Sequence, residues 1–376
     1  MILKNAPIER FAKDILEHKK KIILFGAGTL LKSWIPYLLR EHGITKQVAL
    51  IVDNDPDKRG RQVMVNQREF VICGPESLRR IDGTESVILI ASSYFAAMIR
   101  QLDGMRELDQ TECYVAPIMH ITNRQACGGD IRAWQAGEQK IPKVIHYCWF
   151  GRKEMPEKNR RYIESWKVRC PDYEIVRWDE DSYDIGKNLY MQQAYEAGKY
   201  GYVPDYARID ILYHHGGIYL DTDVELLRSL DELLYLDGFT SFEEYPTVNF
   251  GGGSGCRKGL PIMKSVLEFR ENISFRMPDG SMNRDTCGYF ESLPLVGAGL
   301  RLDGTLQNIQ GLTVFPSEYF HPRSSVTGLT QITDKTFGVH RFDWSWVGGG
   351  QREEKLETHR VYQETLKRML ENEENG

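Results

Sequence analysis

The 376-residue sequence lacks the features that mark secreted or membrane-spanning proteins. Its seven cysteines are scattered, odd in number and without a Cys-x-x-Cys pair, which argues against a disulfide framework or a zinc site and favours reduced thiols. The start of the chain has no apolar core of a signal peptide, and the longest apolar stretch, residues 87–99, is too short to span a bilayer. We therefore expect a cytoplasmic protein, and peripheral membrane contact is left open.

A block of positive charge is also lacking. The formal net charge is −5 and no basic arm or stripe stands out, so we expect no nucleic-acid partner. The composition, 41% hydrophobic and 27% charged, is that of an ordinary globular protein. At this length, two domains are expected rather than one hydrophobic core.

The N-terminal third alternates apolar strands with helices, which indicates a parallel sheet with crossover connections. After an amphipathic helix predicted over the first 21 residues, a strand that starts at Lys21 runs into a Gly-x-Gly turn. Further strands are predicted to end at Asp53 and to cover 86–92 and 112–116. We predict a small Rossmann-like α/β domain over residues 1–121.

The remainder of the chain has a different texture. Residues 122–140 are small and polar and predict a linker, and Ile141 begins a new strand. A helix over 157–169 and a strand over 173–178 continue an α/β pattern, which predicts a second domain over 141–350. The charged tail, 351–376, predicts a terminal helix.

The most informative segment is 203–225, VPDYARIDILYHHGGIYLDTDVE. It predicts a buried helix, a Gly-Gly stop, a short apolar strand and then Asp221 and Asp223. Open α/β sheets bind ligands at the carboxyl ends of their strands, and paired carboxylates suit Mg²⁺ or Mn²⁺ bridging a diphosphate. An isolated Asp-x-Asp is common in surface loops, but this context favours a metal site.

Asp205 and Arg208 lie three residues apart and share one face of the predicted helix. One interpretation is a local ion pair near the start of the helix. The other is that both face the ligand edge, with Arg208 near phosphate and Asp205 accepting from sugar hydroxyls.

Two aromatic segments have similar alternatives. His146 and Trp149 stand where the first strand of the second domain ends, either as core residues or with an aromatic ring that stacks on a nucleobase. The segment 339–346, VHRFDWSW, is either a core aromatic cluster or a segment that folds over a ligand. In the second case His340 is a candidate metal ligand, and Ser345 and Trp346 are candidate phosphate donors.

Gly26 and Gly28, with Asp53 at the end of the next strand, form a partial dinucleotide-binding fingerprint. The third glycine is absent, because position 31 is Leu. Glycines also close tight strand–helix turns in domains that bind no nucleotide, so a nucleotide site is one of two interpretations here.

Taken in order, four segments resemble a known family: IPKVIHYCWFG, the SW and WDE of IESWKVRCPDYEIVRWDE, DYARIDILYHHGGIYLDTDVE and VHRFDWSW. They are similar to the DXD-motif sugar transferases of capsular polysaccharide and outer-chain mannan synthesis, with the glucosylating bacterial toxins as more distant relatives. The resemblance covers about residues 141–347. The first domain looks similar to short Rossmann-like modules fused to bacterial sugar and methyl transferases.

The resemblance implies a GT-A fold that uses Mn²⁺ or Mg²⁺ and transfers a hexose with retention from a nucleoside diphosphate sugar, a UDP-sugar being favoured over a GDP-sugar. It implies a glycan or lipid-linked acceptor at the inner membrane face. It also implies these roles: base stacking by Trp149; sugar contacts by Asp205, Arg208 and Tyr219; ribose and metal contacts by Asp221; metal ligation by Asp223; and closure over the diphosphate by His340, Ser345 and Trp346. The sequence departs from the family at Arg341, where relatives often carry a second His.

Two rival hypotheses place the function in the first domain. One is a small-molecule sensor whose second domain binds sugar nucleotide without catalysis, but that domain keeps all of Asp205, Arg208, Asp221 and Asp223. The other is an NAD-dependent nucleotide-sugar reductase. The missing third glycine and the lack of a Tyr-x-x-x-Lys near the third strand argue against it.

Overall fold

A computed structural model describes residues 1–122, 137–283, 285–325, 327–342 and 349–374. Backbone contacts divide the chain into two compact units. The first contains residues 1–126, 326–328 and 348–376, and the second contains 127–325 and 329–347. Ser345 and Trp346, predicted to close over a ligand, lie outside the described residues, as does most of the predicted linker.

The first unit is a parallel α/β layer, in keeping with the predicted alternation. Its sheet has the order β1-β7-β6-β2-β3-β5-β4, in which only the β4–β5 pair is antiparallel. The elements in chain order are β1 (Ile2–Lys4), α1 (Ile8–Glu17), β2 (Lys21–Phe25), α2 (Thr29–Lys32), α3 (Trp34–Glu41), β3 (Val48–Val52), β4 (Gln62–Val65), β5 (Arg68–Cys73), β6 (Ser86–Ile90), α4 (Phe95–Asp103), β7 (Glu112–Val115) and α5 (Ala116–Thr122).

The prediction of a helix over the first 21 residues was wrong at both ends, since the helix covers only Ile8–Glu17. Residues 2–4 form β1, which pairs in parallel with β7 and buries Leu3 completely. The amphipathic helix starts only at Ile8, after Pro7. Pairing with the free edge of β7 gives residues 2–4 ladder hydrogen bonds and buries Leu3. This gain outweighs the helical pattern of the residues that follow.

The second unit is a mixed α/β layer around an eight-stranded sheet. Its main path is β15-β16-β12-β14-β10-β8-β9, with β13 paired to β12. The elements are β8 (Val144–Cys148), α6 (Glu157–Arg169), β9 (Glu174–Trp178), α7 (Leu189–Glu196), α8 (Pro204–His215), β10 (Gly217–Tyr219), β11 (Val224–Leu226), β12 (Gly238–Phe242), β13 (Val248–Asn249), β14 (Ser254–Cys256), α9 (Pro261–Glu271), α10 (Cys287–Gly297), β15 (Gln307–Ile309), β16 (Leu312–Phe315) and β17 (Gly338–His340). The predicted helix over 157–169 is confirmed as α6.

Strands β10, β8 and β9, at one end of the sheet, run parallel, so their carboxyl ends meet at one edge. Buried α8 leads into β10 through Gly216 and Gly217, whose φ angles of 72° and 90° suit glycine. A Cβ on Gly217 would lie 2.9 Å from the Val144 carbonyl oxygen, so the strand can approach β8 only with glycine there.

The terminal helix α11 (Gly349–Glu374) belongs to the first unit, although the sequence suggested a separate segment after the second domain. It packs against β1 and α4 and buries Tyr362 and Met369. Arg368 donates two hydrogen bonds of 2.6 Å to Asp103. Among the helices described, none is long and apolar enough to cross a membrane.

Candidate active site

The Asp-Thr-Asp turn follows directly after β10 at the carboxyl edge of the sheet. The Asp221 N–H donates to the Gly251 carbonyl oxygen at 2.8 Å, and the Val224 N–H donates to the Asp221 carbonyl oxygen at 3.0 Å. These bonds close the turn before β11 begins. The turn therefore has a defined backbone shape in which both carboxylates emerge at the ligand edge.

Helix α6 supports the far side of the same turn. The Trp166 indole N–H donates to the Val224 carbonyl oxygen at 2.8 Å, and Ser165 Oγ accepts from the Leu226 N–H at 3.0 Å. Asn159 Nδ2 donates to the Thr222 carbonyl oxygen at 3.2 Å. The Ser-Trp pair that carried part of the family resemblance thus has a structural role, which is to hold the strand after the acids.

A two-stranded ladder brings His340 to the acids from more than a hundred residues away. Strands β11 and β17 are antiparallel, and Val224 is paired with His340. His340 Nε2 lies 3.2 Å from Asp223 Oδ1. Each of Asp221, Asp223 and His340 offers one ligand atom, and the three atoms lie within 4.8 Å of one another.

The chemistry of this set fits a divalent cation. Two carboxylates and an imidazole suit Mn²⁺, and carboxylates alone suit Mg²⁺. Burial raises the pKa of Asp221, Arg208 opposes that rise, and Asp223 adds to it. Burial alone would lower the pKa of His340, but the Asp223 carboxylate raises it above its ordinary value. Crowded acids of this kind are relieved by a bound cation.

Arg341, the position at which the sequence departs from the family it resembles, does not bring its side chain into the metal set. Its Nε donates to Glu225 Oε2 at 3.0 Å, and its Nη2 also pairs with that oxygen. Its backbone N–H donates to the Asp223 carbonyl oxygen at 2.9 Å. Arg341 therefore links the end of β17 to β11. Of these two neighbouring residues, only His340 offers an imidazole to the metal set.

Asp205 and Arg208 lie on buried α8, next to the acids. Arg208 Nη2 donates to Asp205 Oδ1 at 3.0 Å and lies 3.8 Å from Asp221 Oδ1. The local ion pair, one of the two interpretations that the sequence offered, is thus present, and Arg208 also lies beside Asp221. Contacts with phosphate and sugar stay a prediction. Tyr219 is buried between these groups, and its hydroxyl donates to Asp221 Oδ1 at 3.2 Å. Burial raises the pKa of Tyr219, so the phenol remains a proton donor.

Two charged residues at this site escaped the sequence analysis. Arg270 of α9 places Nη2 3.1 Å from Asp205 Oδ2, with its guanidinium between the rings of Tyr190 and Phe290. Glu291 of α10 is fully buried and lies 3.8 Å from Arg208 Nη1. For Arg270 the sequence did contain a signal, which is a charged residue on an otherwise apolar helix face. Arg270 lies on the same buried face of α9 as Ile262, Met263, Val266 and Leu267.

A run of glycines passes close to these side chains. A Cβ on Gly251 would lie 2.1 Å from Asp221 Oδ2 and 2.5 Å from Arg208 Nη1. A Cβ on Gly252 would lie 2.0 Å from His321 Nε2. His321, also absent from the sequence analysis, packs 5.3 Å from the His340 ring and accepts from or donates to Ser241 at 2.9 Å. Bare backbone is required here because side chains already fill the space.

The structure separates the two aromatic candidates at the end of β8. His146 is buried; its Nε2 donates to the Gly216 carbonyl oxygen at 3.0 Å, and its Nδ1 accepts from the Trp178 indole at 3.1 Å. Burial lowers the pKa of His146 to about 4, which keeps the ring neutral. His146 therefore links β8 to the α8–β10 turn, the core alternative.

Trp149 is half-buried, and its indole N–H donates to the Lys153 carbonyl oxygen at 2.7 Å. The following Gly151 N–H donates to Glu180 Oε1 at 2.5 Å. The ring is held within a closed loop at the carboxyl end of β8, on the same sheet edge as Asp221. That position is compatible with a stacking surface.

The partial nucleotide fingerprint lies in the first unit and is internally bonded. Asp53 Oδ2 accepts from the Ala27 N–H at 2.6 Å, between Gly26 and Gly28, and from Lys58 at 3.1 Å. Asp53 Oδ1 accepts from the Asp55 N–H at 2.8 Å. The acid that a dinucleotide site would use for ribose here closes the strand–helix turn, which is the alternative without a ligand.

Comparison with known proteins finds a family match in the segment that holds the acids. Residues 156–239 match the family described as a glycosyltransferase sugar-binding region containing a DXD motif. The matched segment contains Asp205, Arg208, Asp221 and Asp223, whereas Arg270, Glu291 and His340 lie beyond it.

Similar proteins carry related names. Inositol phosphoceramide mannosyltransferase 3 of Schizosaccharomyces pombe is 32% identical over 141 residues, covering 36% of this chain and 38% of that protein. An uncharacterised glycosyltransferase of Acanthamoeba polyphaga mimivirus is 30% identical over 159 residues, covering 39% of this chain and 61% of that protein. The chain thus spans between about two fifths and three fifths of these two relatives.

Among solved structures, the PaToxG glycosyltransferase matches 42% of this chain and 69% of its own chain. The two are 19% identical, and the TM-score is 0.35.

Proposed function

We propose that the protein is a metal-dependent hexosyltransferase. It would move a hexose from a nucleoside diphosphate sugar to a glycan or lipid-linked glycan in surface polysaccharide synthesis. The observation that carries the proposal is the convergence of the Asp221, Asp223 and His340 ligand atoms within 4.8 Å at the strand edge. The Asp205–Arg208 pair lies directly beside them.

A divalent cation, when bound, would offset the negative charge that develops on the leaving diphosphate. Asp221, Asp223 and His340 would hold the cation. Arg208 adds a fixed positive charge 3.8 Å from Asp221, at the place where an anionic donor would bind. Asp205 accepts from Arg208, and we assign to its carboxylate the contact with sugar hydroxyls.

Other residues would orient the donor. Trp149 provides a ring surface for the base at the end of β8, and Tyr219 holds Asp221 through its hydroxyl at 3.2 Å. We propose front-face attack by the acceptor hydroxyl, with the leaving phosphate taking its proton and with retention of configuration. Ser345 and Trp346 would close over the diphosphate.

The names of the relatives support a choice of sugar and acceptor. The fission yeast proteins are named as mannosyltransferases acting on inositol phosphoceramide. Mannose is therefore the first hexose to test, and we propose a lipid-borne acceptor that is reached at the inner membrane face. We propose a UDP-sugar as donor, to be tested against GDP-sugars.

The test is a donor-hydrolysis screen of UDP- and GDP-hexoses with Mn²⁺ or Mg²⁺, measured as release of nucleoside diphosphate. At least one donor should be turned over, and EDTA should stop the reaction. Asp223→Ala should lower the rate by about 100-fold or more, because a metal ligand and charge partner of His340 is lost. Asp303→Asn, an exposed acid in the same unit, is the matched control and should leave the rate unchanged. Turnover that resists EDTA and survives Asp223→Ala would contradict metal dependence.

A further inference from the structure

Glu291 is a buried carboxylate for which the proposed reaction has no role. It projects from α10, is 0% exposed, and accepts the Phe250 N–H on Oε2 at 2.9 Å. Its other oxygen, Oε1, has no hydrogen-bond partner among the described residues and lies 3.8 Å from Arg208 Nη1. A buried acid is costly unless its charge is compensated, so its position beside Arg208 calls for an explanation.

Arg208 lies between three carboxylates. Its Nη2 bonds Asp205 at 3.0 Å, and the same nitrogen is 3.8 Å from Asp221 Oδ1. Its Nη1 is likewise 3.8 Å from Glu291 Oε1. Glu291 and Asp221 therefore attract the two ends of one guanidinium from equal distances. If either charge is removed, the guanidinium is attracted toward the remaining acid.

The position of Arg208 matters for Asp221. A guanidinium forms bidentate pairs with carboxylates, and such a pair would use the oxygens that Asp221 offers to a cation. Glu291 also fixes the backbone next to this contact. The residue it binds, Phe250, precedes Gly251, whose carbonyl oxygen accepts the Asp221 N–H at 2.8 Å.

We propose that Glu291 is a positioning residue that holds Arg208 away from Asp221 and so keeps Asp221 available to a divalent cation. This inference rests on the proposed metal-dependent function. It assigns to α10, outside the segment matched by the family, a part in metal affinity. Glu291 itself touches neither the cation nor the donor in this arrangement.

The charge of Glu291 depends on its surroundings. Burial raises its pKa to about 7, while Arg208 and Arg270 oppose the rise and Asp205 adds to it. Cys287, on the same helix, remains a neutral thiol because burial raises its pKa well above the ordinary value. Measurements near pH 8, about one unit above this pKa, therefore report on the ionised carboxylate.

The experiment is Glu291→Gln, assayed near pH 8 in the full chain. Glutamine keeps an oxygen for the Phe250 N–H and removes the charge facing Arg208. We expect the Mn²⁺ concentration for half-maximal donor hydrolysis to rise about tenfold, equivalent to about 1.4 kcal/mol. The donor KM at saturating Mn²⁺ should change much less. Titration of the protein with Mn²⁺ alone, followed by electron paramagnetic resonance, should show the same loss of affinity.

Ser292→Ala is the matched control, since Ser292 is the next residue of α10. It accepts the Val248 N–H at 2.8 Å and so supports the same backbone segment without facing Arg208. Its Mn²⁺ requirement should equal that of the wild type. An equal shift in Ser292→Ala would mean that α10 only supports the backbone, and an unchanged Glu291→Gln would mean that the charge has no role. Either result overturns the inference.

Glu291→Asp is a second variant that keeps the inference testable if Glu291→Gln does not fold. It retains the charge, and its Mn²⁺ requirement should stay closer to the wild type than that of Glu291→Gln; a requirement raised as far as in Glu291→Gln would refute the charge effect. If Glu291→Gln does not fold, a Glu291→Asp protein that folds but loses Mn²⁺ affinity tenfold would refute it as well. A wild type that neither hydrolyses any donor nor binds Mn²⁺ would count against the proposed function instead.

Discussion

Gly251 lies close to Asp221 and Arg208, so Gly251→Ala is a steric test of where these two side chains must be. A Cβ at this position would lie 2.1 Å from Asp221 Oδ2 and 2.5 Å from Arg208 Nη1. Gly251 is not among the glycines with a positive φ, so alanine meets no backbone strain. Any effect must therefore come from displacement of the two side chains.

The magnitude follows from the geometry. Real Cβ atoms essentially never approach another atom within 3.0 Å, so the 2.1 Å contact must open by about 1 Å. A shift of about 1 Å in a positioned group can cost about 100-fold in rate. Overpacking of this kind costs about 1–3 kcal/mol in the free energy of unfolding. We expect a folded protein with strongly reduced donor turnover.

The assay is donor hydrolysis at saturating Mn²⁺, together with thermal unfolding of the same preparations. Gly297→Ala is the control, because a Cβ on Gly297 has no heavy atom within 4 Å and its φ is not positive. It should match the wild type in both measurements. Wild-type turnover in Gly251→Ala would refute the argument that Asp221 must stay where the structure has it.

Three further predictions concern other parts of the molecule. Burial lowers the pKa of His146 from 6.5 to about 4, so the unfolded chain takes up a proton on this imidazole at a higher pH than the folded protein does, and the free energy of unfolding should fall by up to about 3 kcal/mol as the pH drops through that range. Urea unfolding of His146→Gln should show a smaller fall, and an equal fall would assign the effect to other groups. Trp149→Ala should raise the donor KM about 10- to 100-fold, as expected for one base stack, whereas Trp149→Phe should raise it little; equal KM values would exclude stacking. Deleting residues 1–121 alone should give aggregated protein, because Tyr362 and Met369 of α11 become exposed. Deleting residues 349–376 as well should restore solubility. A soluble protein after the deletion of 1–121 alone would contradict this prediction.

The sequence alone predicted the part of the candidate site that is contiguous along the chain. The helix, the Gly216–Gly217 stop, the short strand and the Asp221–Asp223 turn are readable because each depends on its immediate neighbours. Periodicity marks the buried helix, glycine marks its end, and the acids follow the strand. The same reasoning found α6 with its exact bounds and the alternation of the first domain.

Several alternatives were decided only by tertiary contacts. His146 and Asp53 each had a ligand-binding and a structural interpretation. In the structure, hydrogen bonds from the Trp178 indole and the Ala27 N–H occupy them. The partners lie 32 and 26 positions away along the chain. No local pattern could therefore have distinguished between the interpretations.

The positions of the charged residues around Asp221 and Asp223 were also decided only by tertiary packing. Arg270 and Glu291 belong to helices that follow the Asp-Thr-Asp turn by dozens of residues, and His340 reaches it through the pairing of β11 with β17. Helical periodicity tells which face of α9 or α10 is buried, but not which element that face meets. Charges placed on those faces are stable only because the fold brings opposite charges to them, and that pairing is a property of the three-dimensional arrangement.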